Sequence, residues 1–175
     1  ASLNLKETFE KIINKFKGEN FLFEKIRLDH FFNEAHYFHN VLYSKSLSYY
    51  LKNEFNNYPQ KFSKSLNKMI LFGLEMSLSK YKEALNYQRK LILNLERIFN
   101  KYDFLIDLST FSSAPVHNSN GIEDHNLIWT MGHVPSISLP IINLKDNMPV
   151  GVQINTRRYN DYELLKFSKL LYEKN

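Results

Sequence analysis

The chain has 175 residues, a formal net charge of +5 and no cysteine, which excludes disulfides, thiolate catalysis and Cys-based zinc sites. Hydrophobic residues make up 43% of it, enough for a folded core and too many for global disorder. No segment approaches the ~20 consecutive apolar residues that a membrane span needs.

The first third of the chain predicts two helical regions separated by a short strand. Apolar residues at helical spacing predict a helix from Leu5 to Phe16. "NFLFEKIRL" alternates instead, which predicts a strand with Phe21, Phe23 and Ile26 on one side. The pattern from Asp29 to Phe55 is helical again and dense in aromatic residues.

The middle third predicts two more helices and a strand. One helix should run from Phe62 to Phe72 and end at Gly73. The longest helix should run from about Lys80 to Tyr102, with Ser79 as its N-terminal cap. "FLIDL", which follows Asp103, has the length and composition of a short buried strand.

The last third predicts a loop, two strands and two helices. Residues 109–121 are rich in Ser, Asn and Pro and indicate a loop, followed by a short helix near residues 124–131. Ser136 to Leu139 should be a buried strand that Pro140 stops. In the next strand, "VGVQIN", three residues should share the apolar face, and the final helix after Asn160 should bury four more: Val150, Val152 and Ile154 in the strand, and Leu164, Leu165, Leu171 and Tyr172 in the helix.

These elements predict one α/β domain over residues 1–175, with helices packed on a few central strands. The N-terminal "ASLNLKETFEKIINKF" mixes acids with lysines and has no apolar signal region, so we expect a cytoplasmic protein with no membrane partner. The lysines are scattered over polar faces, and no motif or basic stripe accompanies them. The sequence therefore does not favour nucleic acid as a partner.

The histidines raise a metal-site hypothesis and an acid–base hypothesis. His36 and His39 are three apart on a helix and could face one ion, but no further ligand is evident, so ordinary helical histidines are favoured. His117, His125 and His133 lie in or near loops, where one could act as a general base, yet no Gly-x-Ser-x-Gly turn accompanies them. We expect no metal site and no cofactor.

The order of features from Gly73 onward resembles the C-terminal part of the amidase signature family. The most specific part is the Pro-small-Ile-Ser-x-Pro segment with Pro-x-Gly-x-Gln soon after it. Upstream, "RLDHFFNEA" resembles the family's strand leading to a Glu-Ala helix. The matching residues are Gly73, Ser79, Tyr81, Ala84, Arg89, Phe99, Asp103, Ala114, Pro115, Trp129, Thr130, Pro135–Pro140, Pro149, Gly151, Gln153, Leu164 and Leu165.

The resemblance implies the C-terminal portion of the amidase signature fold, with helices on a central mixed sheet. It makes Pro135–Pro140 a buried central strand in which Ser136 and Ser138 are structural. The Trp-Thr pair is more similar to general amidases than to the glutaminase subunit of tRNA-dependent amidotransferases. One departure is His133, which stands where the family usually has a glycine, so the local turn is expected to differ.

The resemblance also implies an activity, hydrolysis of carbon–nitrogen amide bonds by a Ser–cis-Ser–Lys triad. The family carries this triad in a Lys-containing segment and a Gly-Ser-Ser-Gly-Gly segment, and neither is found in these 175 residues. Ser112–Ser113 is the one Ser-Ser pair, but it has no flanking glycines. We therefore assign no catalytic residue and expect this chain alone to be inactive.

In the full-length enzyme this part would help to form the site for a small-molecule amide. The residues that the resemblance places near that site, as candidates for substrate binding, are Trp129, Thr130 and His133. We expect the chain to associate with a missing N-terminal half or with itself. The alternative is a non-catalytic binding or scaffold domain with a basic surface.

Overall fold

The computed structural model describes residues 3–17, 21–112, 114, 126–144 and 148–174. It groups the chain into two compact units: unit 1 comprises Ala1–Arg27 and Leu95–Asn175, and unit 2 comprises Leu28–Asn94. A single domain over residues 1–175 stays a prediction. No helix of the described residues is long and apolar enough to cross a membrane.

Unit 2 is helical throughout its regular elements. A short 3-10 helix at His30–Glu34 precedes α2 (Ala35–Tyr50) and α3 (Lys52–Asn57), and a second one at Pro59–Lys61 lies between α3 and α4 (Lys64–Glu75). Helix α5 (Leu78–Phe99) begins in unit 2 and ends in unit 1.

The core of unit 2 contains a stack of three aromatic rings. The Tyr87 ring stacks against Phe31 on one side and Phe38 on the other, with ring centroids 4.6 Å and 4.2 Å apart. The Tyr87 hydroxyl donates to the Phe31 carbonyl oxygen at 2.6 Å. Burial, together with the charge of Glu34, raises the pKa of Tyr87 to about 12, so this hydroxyl remains a donor at neutral pH.

Helices α2 and α4 cross very closely at Gly73. A Cβ atom on Gly73 would collide with the carbonyl oxygen of Ser44, and it would lie 2.6 Å from the Ser44 carbonyl carbon and 2.8 Å from the Ser48 Cβ. The Lys45 ammonium donates to the Gly73 carbonyl oxygen at 2.9 Å. The prediction that Gly73 ends its helix is wrong, because this glycine serves the helix crossing and α4 continues to Glu75.

The N-terminal cap of α5 also differs from the prediction. The helix begins at Leu78, and the Lys80 N–H donates to the Ser77 hydroxyl at 3.2 Å, so Ser77 is the cap and Ser79 lies inside the first turn. Both serines precede Tyr81, where the apolar spacing of α5 begins, so that spacing is compatible with either serine as the cap.

Unit 1 is built on a three-stranded antiparallel sheet. Its strands are β1 (Phe104–Leu108), β2 (Ser136–Asn143) and β3 (Pro149–Thr156), in the spatial order β1-β3-β2. The remaining helices of this unit are α1 (Leu3–Phe16), α6 (Leu127–Gly132) and α7 (Asp161–Lys174). The α/β class is confirmed; the described strand pairs are all antiparallel, where a mixed sheet was expected.

One face of the sheet is apolar and packs on α1 and α7. Strand β3 contributes Val150, Val152 and Ile154, each at most 1% exposed, as its alternation predicted. Those residues join two clusters with helix residues: Leu5 and Phe16 from α1, and Leu164, Phe167 and Leu171 from α7.

On α7 the predicted apolar face is half right. Leu164 and Leu171 are buried, but Leu165 and Tyr172 are each 59% exposed. Phe167 and Ser168 complete the buried face instead, because residues three, four and seven after Leu164 share one side of a helix.

Two strand predictions are corrected by how the sheet is assembled. Residues 21–29 form no strand; Phe21 and Phe23 instead pack against the α7 cluster, so their alternation reflects side-chain burial without backbone pairing. Pro140 does not stop β2, because β2 is an outer strand with a register shift between Leu139 and Ile142, where a missing N–H is tolerated. The central strand among the described residues is β3, whereas the Pro135–Pro140 segment had been expected there.

Candidate functional site

The second face of the sheet in unit 1 is polar. Side chains alternate along β3, so Gly151, Gln153 and Asn155 lie opposite its apolar residues. The register places Asp107 and Ser138 beside Gln153, on either side, and Ser136 beside Asn155. Directly opposed residues share a face, so these side chains form one surface, here called the polar face: Asp107, Ser109, Ser136, Ser138, Gly151, Gln153 and Asn155.

Asn155 is the hydrogen-bonding centre of the polar face. It is fully buried, and its Oδ1 accepts from the Ser136 hydroxyl at 2.7 Å and from the Gln153 Nε2 at 3.0 Å. Its Nδ2 donates to the Leu105 carbonyl oxygen at 3.4 Å. The Asn155 amide therefore links all three strands, through the side chains of Ser136 and Gln153 and the backbone of Leu105, and so has the partners that a buried polar group requires.

A second hydrogen-bonded group lies at the other end of the polar face. The hydroxyls of Ser109 and Ser138 are 2.5 Å apart, and the Ser109 N–H donates to the Gly151 carbonyl oxygen at 2.8 Å. A Cβ atom on Gly151 would collide with both hydroxyl oxygens, so glycine is needed for this close approach. The Asn126 side chain, just before α6, donates to the Ser109 carbonyl oxygen at 2.7 Å.

Asp107 is the ionisable member of the polar face. Its Oδ1 and the Trp129 Nε1 are buried, and among the described residues neither atom has a hydrogen-bond partner. Burial raises the pKa of the Asp107 carboxyl to about 7; donor groups of Trp129 and Asn155 favour the carboxylate and offset part of the rise.

The three predicted substrate-binding residues lie in different environments around α6. Trp129 is 4% exposed and is directed into the protein near Asp107, whereas Thr130 and His133 are exposed. His133 follows α6 as its C-cap in the left-handed conformation, with φ 54° and ψ 37°. The turn was expected to differ because His133 stands where the family usually has a glycine. The backbone of His133 nevertheless has the left-handed conformation that favours glycine.

We expect His133→Gly to raise the free energy of unfolding by about 1 kcal/mol, because a left-handed residue with a Cβ atom is strained. His133→Ala is the matched control, since it removes the imidazole but keeps the Cβ. Urea unfolding of both variants measures the difference. Equal stabilities for the Gly and Ala variants would show that backbone strain at this turn is negligible.

The polar face has no nucleophile–base pair among its described residues. The hydroxyls of Ser109, Ser136 and Ser138 bond to each other, to Asn155 or to backbone, and no described His or Lys side chain reaches them. The Ser112–Ser113 pair is only partly described, since Ser113 lies outside the described residues, as do His117 and His125. A carboxyl with a pKa near 7 suits proton transfer, but no described serine hydroxyl bonds to Asp107.

The histidines of α2 are His36 and His39. In the described part of the chain, no group of three or more His, Asp or Glu side chains is placed to hold a metal ion. His39 stacks on Tyr43 with ring centroids 5.7 Å apart.

Sequence reasoning identified part of the polar face. The resemblance singled out Ser136, Ser138, Gly151 and Gln153, but Asp107, Ser109 and Asn155 were not named. Their signal is an alternation of polar residues opposite an apolar set, which is visible in "VGVQIN" but becomes a site only when the register of β1 and β2 is known.

The family model described as Amidase matches residues 2–165. The chain therefore belongs to the amidase family.

Two relatives are similar to this chain in sequence. A glutamyl-tRNA(Gln) amidotransferase subunit from Treponema denticola is 26% identical over 111 residues, and the corresponding mitochondrial subunit from Aedes aegypti is 29% identical over 114 residues. Each match covers 58% of this chain but only 22% and 23% of the two relatives, respectively. These relatives are amidotransferase subunits, although the Trp-Thr pair resembles general amidases.

Solved structures of the family share the fold. A crystal structure of an amidase superposes with a TM-score of 0.84 at 17% identity, covering 95% of this chain and 41% of that one. A bacterial aryl acylamidase gives a TM-score of 0.76 at 13% identity, covering 100% of this chain and 41% of that one. The chain thus spans about two fifths of the length of these structures.

Proposed function

We propose that this chain is the C-terminal part of an amidase that hydrolyses carbon–nitrogen bonds of a small-molecule amide, and that it is inactive by itself. The observation that carries the proposal is the family match over residues 2–165, together with a fold that agrees with an amidase over 95% of the chain. The hydrogen bonding of the polar face supports the proposed inactivity of the isolated chain, because no described base contacts the serine hydroxyls of this face.

In the longer enzyme, the Ser–cis-Ser–Lys triad would come from the part of the protein outside these residues. The nucleophilic serine would attack the amide carbonyl while the second serine passes its proton towards the lysine. We propose that Trp129, Thr130 and His133 line the substrate site. The exposure of Thr130 and His133 supports this for those two side chains, while Trp129 would act from beneath, through its packing beside Asp107.

We propose that the outer strands of the sheet meet the rest of the enzyme. In the described part of unit 1, β1 and β2 each pair only with β3, so each offers one unpaired edge of backbone groups. The same edges would favour self-association when the rest of the enzyme is absent.

The test combines a serine-directed fluorophosphonate probe with an antibody raised against this chain. We expect the probe to leave the purified 175-residue chain unlabelled. In extracts of the source cells, it should label a polypeptide that the antibody recognises and that is larger than 20.8 kDa. Heat-denatured extract and the Ser112→Ala variant of the purified chain are the controls. Labelling of the purified chain that Ser112→Ala abolishes would overturn the proposal.

A second candidate function is a non-catalytic binding domain with a basic surface. The observation in its favour is the distribution of charge: residues 28–94 carry nine basic and five acidic residues, a net charge of +4 out of +5 for the chain. Salt-sensitive binding of the chain to heparin tests this candidate, and the absence of binding at low salt would remove it.

A further inference from the structure

Unit 2 exposes tyrosines and lysines between the end of α2 and the start of α4. Tyr49, Tyr50 and Tyr58 are 75%, 77% and 52% exposed. The exposed lysines of the same region are Lys52, Lys61 and Lys64. These six residues are called the Tyr–Lys surface below.

Side-chain contacts connect the segments that carry this surface. The Tyr49 and Tyr50 rings meet edge to face at 5.2 Å, directly before Lys52. The Lys61 ammonium lies 4.8 Å from the centre of the Tyr58 ring. The rings of Phe55 in α3 and Phe62 pack edge to face, with their centroids 5.8 Å apart. The Asn67 side chain of α4 donates to the Phe62 carbonyl oxygen at 3.4 Å. These contacts hold α3, Phe62 and the first half of α4 together, and α3 also contacts α2, which carries Tyr49 and Tyr50.

The lysines of this surface are not neutralised by carboxylates. Residues 45–68 contain five lysines and one acid, Glu54. Three ion pairs among the described residues lie in unit 1: Lys25–Glu10, Lys166–Glu163 and Lys169–Glu173. The lysines are scattered over the chain as a whole, but residues 45–68 form a basic, acid-poor segment within unit 2.

We propose that the Tyr–Lys surface binds single-stranded RNA. Exposed aromatic rings stack on bases, and lysines beside them neutralise phosphates, which together are the chemistry of single-strand binding. RNA is preferred over DNA because tyrosine hydroxyls and the amides of Asn53, Asn56 and Asn57 offer donors and acceptors to a 2′-hydroxyl. The inference deepens the second candidate function, on which it rests, and is independent of amide hydrolysis.

The experiment measures fluorescence anisotropy of a labelled oligo-U of about 12 nucleotides, titrated with the full chain at several salt concentrations. Tyr49→Ser and Tyr50→Ser should each weaken binding about tenfold. Replacing Lys52, Lys61 and Lys64 together by Gln should reduce the slope of log affinity against log salt by about 2, since each phosphate contact contributes about 0.7.

Matched variants in unit 1 provide the controls. Tyr162→Ser and Tyr172→Ser remove exposed helical tyrosines (75% and 59% exposed), and Lys25, Lys166 and Lys169 replaced together by Gln remove the same charge. These changes should leave oligo-U binding unaltered. The inference would be overturned if the unit 1 variants lost as much oligo-U affinity as the variants of the Tyr–Lys surface. It would also be overturned if the Tyr49 and Tyr50 variants kept the wild-type affinity.

Two further arms separate the possible ligands. Equal affinity for oligo-dT of the same length would overturn the assignment to RNA. If heparin binds with salt sensitivity while oligo-U does not, the RNA inference fails and the basic binding domain stands. If neither heparin nor oligo-U binds, both the RNA inference and the basic binding domain are ruled out.

Discussion

Asp107→Asn should stabilise the protein at pH 8 and leave its stability nearly unchanged at pH 4. The Asp107 carboxyl has a pKa of about 7 in the folded protein against 3.8 for an ordinary aspartate, chiefly because burial disfavours the charged form. Asparagine keeps the size of the side chain and cannot ionise. The variant thus removes a cost that the folded protein bears only when the carboxyl is charged.

The sign of this effect follows from which state ionises first. Below pH 4 the carboxyl is protonated in both the folded and the unfolded chain, so it makes no difference between them. Between about pH 4 and pH 7 the unfolded chain ionises while the folded one resists, and the wild-type free energy of unfolding falls as the pH rises. Above pH 7 both states are ionised, and the loss is constant.

The expected size is about 2–4 kcal/mol at pH 8, since each unit of pKa shift corresponds to about 1.4 kcal/mol and residual solvent access reduces the sum. Urea unfolding at pH 4, 6 and 8 measures the difference between variant and wild type. Asp103→Asn, an exposed carboxylate next to the same strand, is the control and should show no such rise. A constant difference across the three pH values would contradict the raised pKa of the Asp107 carboxyl.

Gly73→Ala should destabilise the protein by about 3 kcal/mol, because the added methyl group enters an already closed helix crossing. This sign is opposite to intrinsic helix propensity, which favours alanine over glycine by about 1 kcal/mol in a helix interior. The atom that the new Cβ would meet first is the Ser44 carbonyl oxygen, which belongs to the backbone and cannot rotate away. The collision between the new Cβ and this oxygen can be relieved only if α2 and α4 move apart.

Thermal and urea unfolding followed by helical circular dichroism measure this loss. Lys68→Ala, at an exposed position of α4, is the control and should change stability by no more than about 0.5 kcal/mol. Combining Gly73→Ala with Ser48→Gly should restore little, because the closest contact is to backbone. A Gly73→Ala variant as stable as the wild type would show that the two helices are not in close contact.

Elements with a strong internal period could be predicted from the sequence. The apolar spacing in α1 and α5 and the alternation in β3 each report a single buried face, and the structure confirms those faces. Residues 21–29 have the same alternation without a strand, because burial of Phe21 and Phe23 produces the pattern whether or not a partner strand exists. Periodicity reports which side chains are buried; it does not report backbone pairing.

The features that could not be predicted depend on contacts between distant segments. Gly73 looked like a helix end because glycine often ends helices, and only the approach of Ser44 explains a glycine inside α4. The burial that raises the pKa of the Asp107 carboxyl, and the opposing effect of Trp129, which is 22 positions away in a different element, arise only in the fold. Trp129 itself was identified through the family resemblance, and its role as a substrate contact stays a proposal.

The order of the strands also constrains when the sheet can form during synthesis. Strands β1 and β2 emerge from the ribosome first, yet in the described structure neither pairs with the other, and both pair with β3. In the described structure β1 and β2 are joined only through β3, so the three-stranded arrangement cannot be complete until residue 156 has left the exit tunnel. The last of the three strands to be translated is therefore the one that connects the other two.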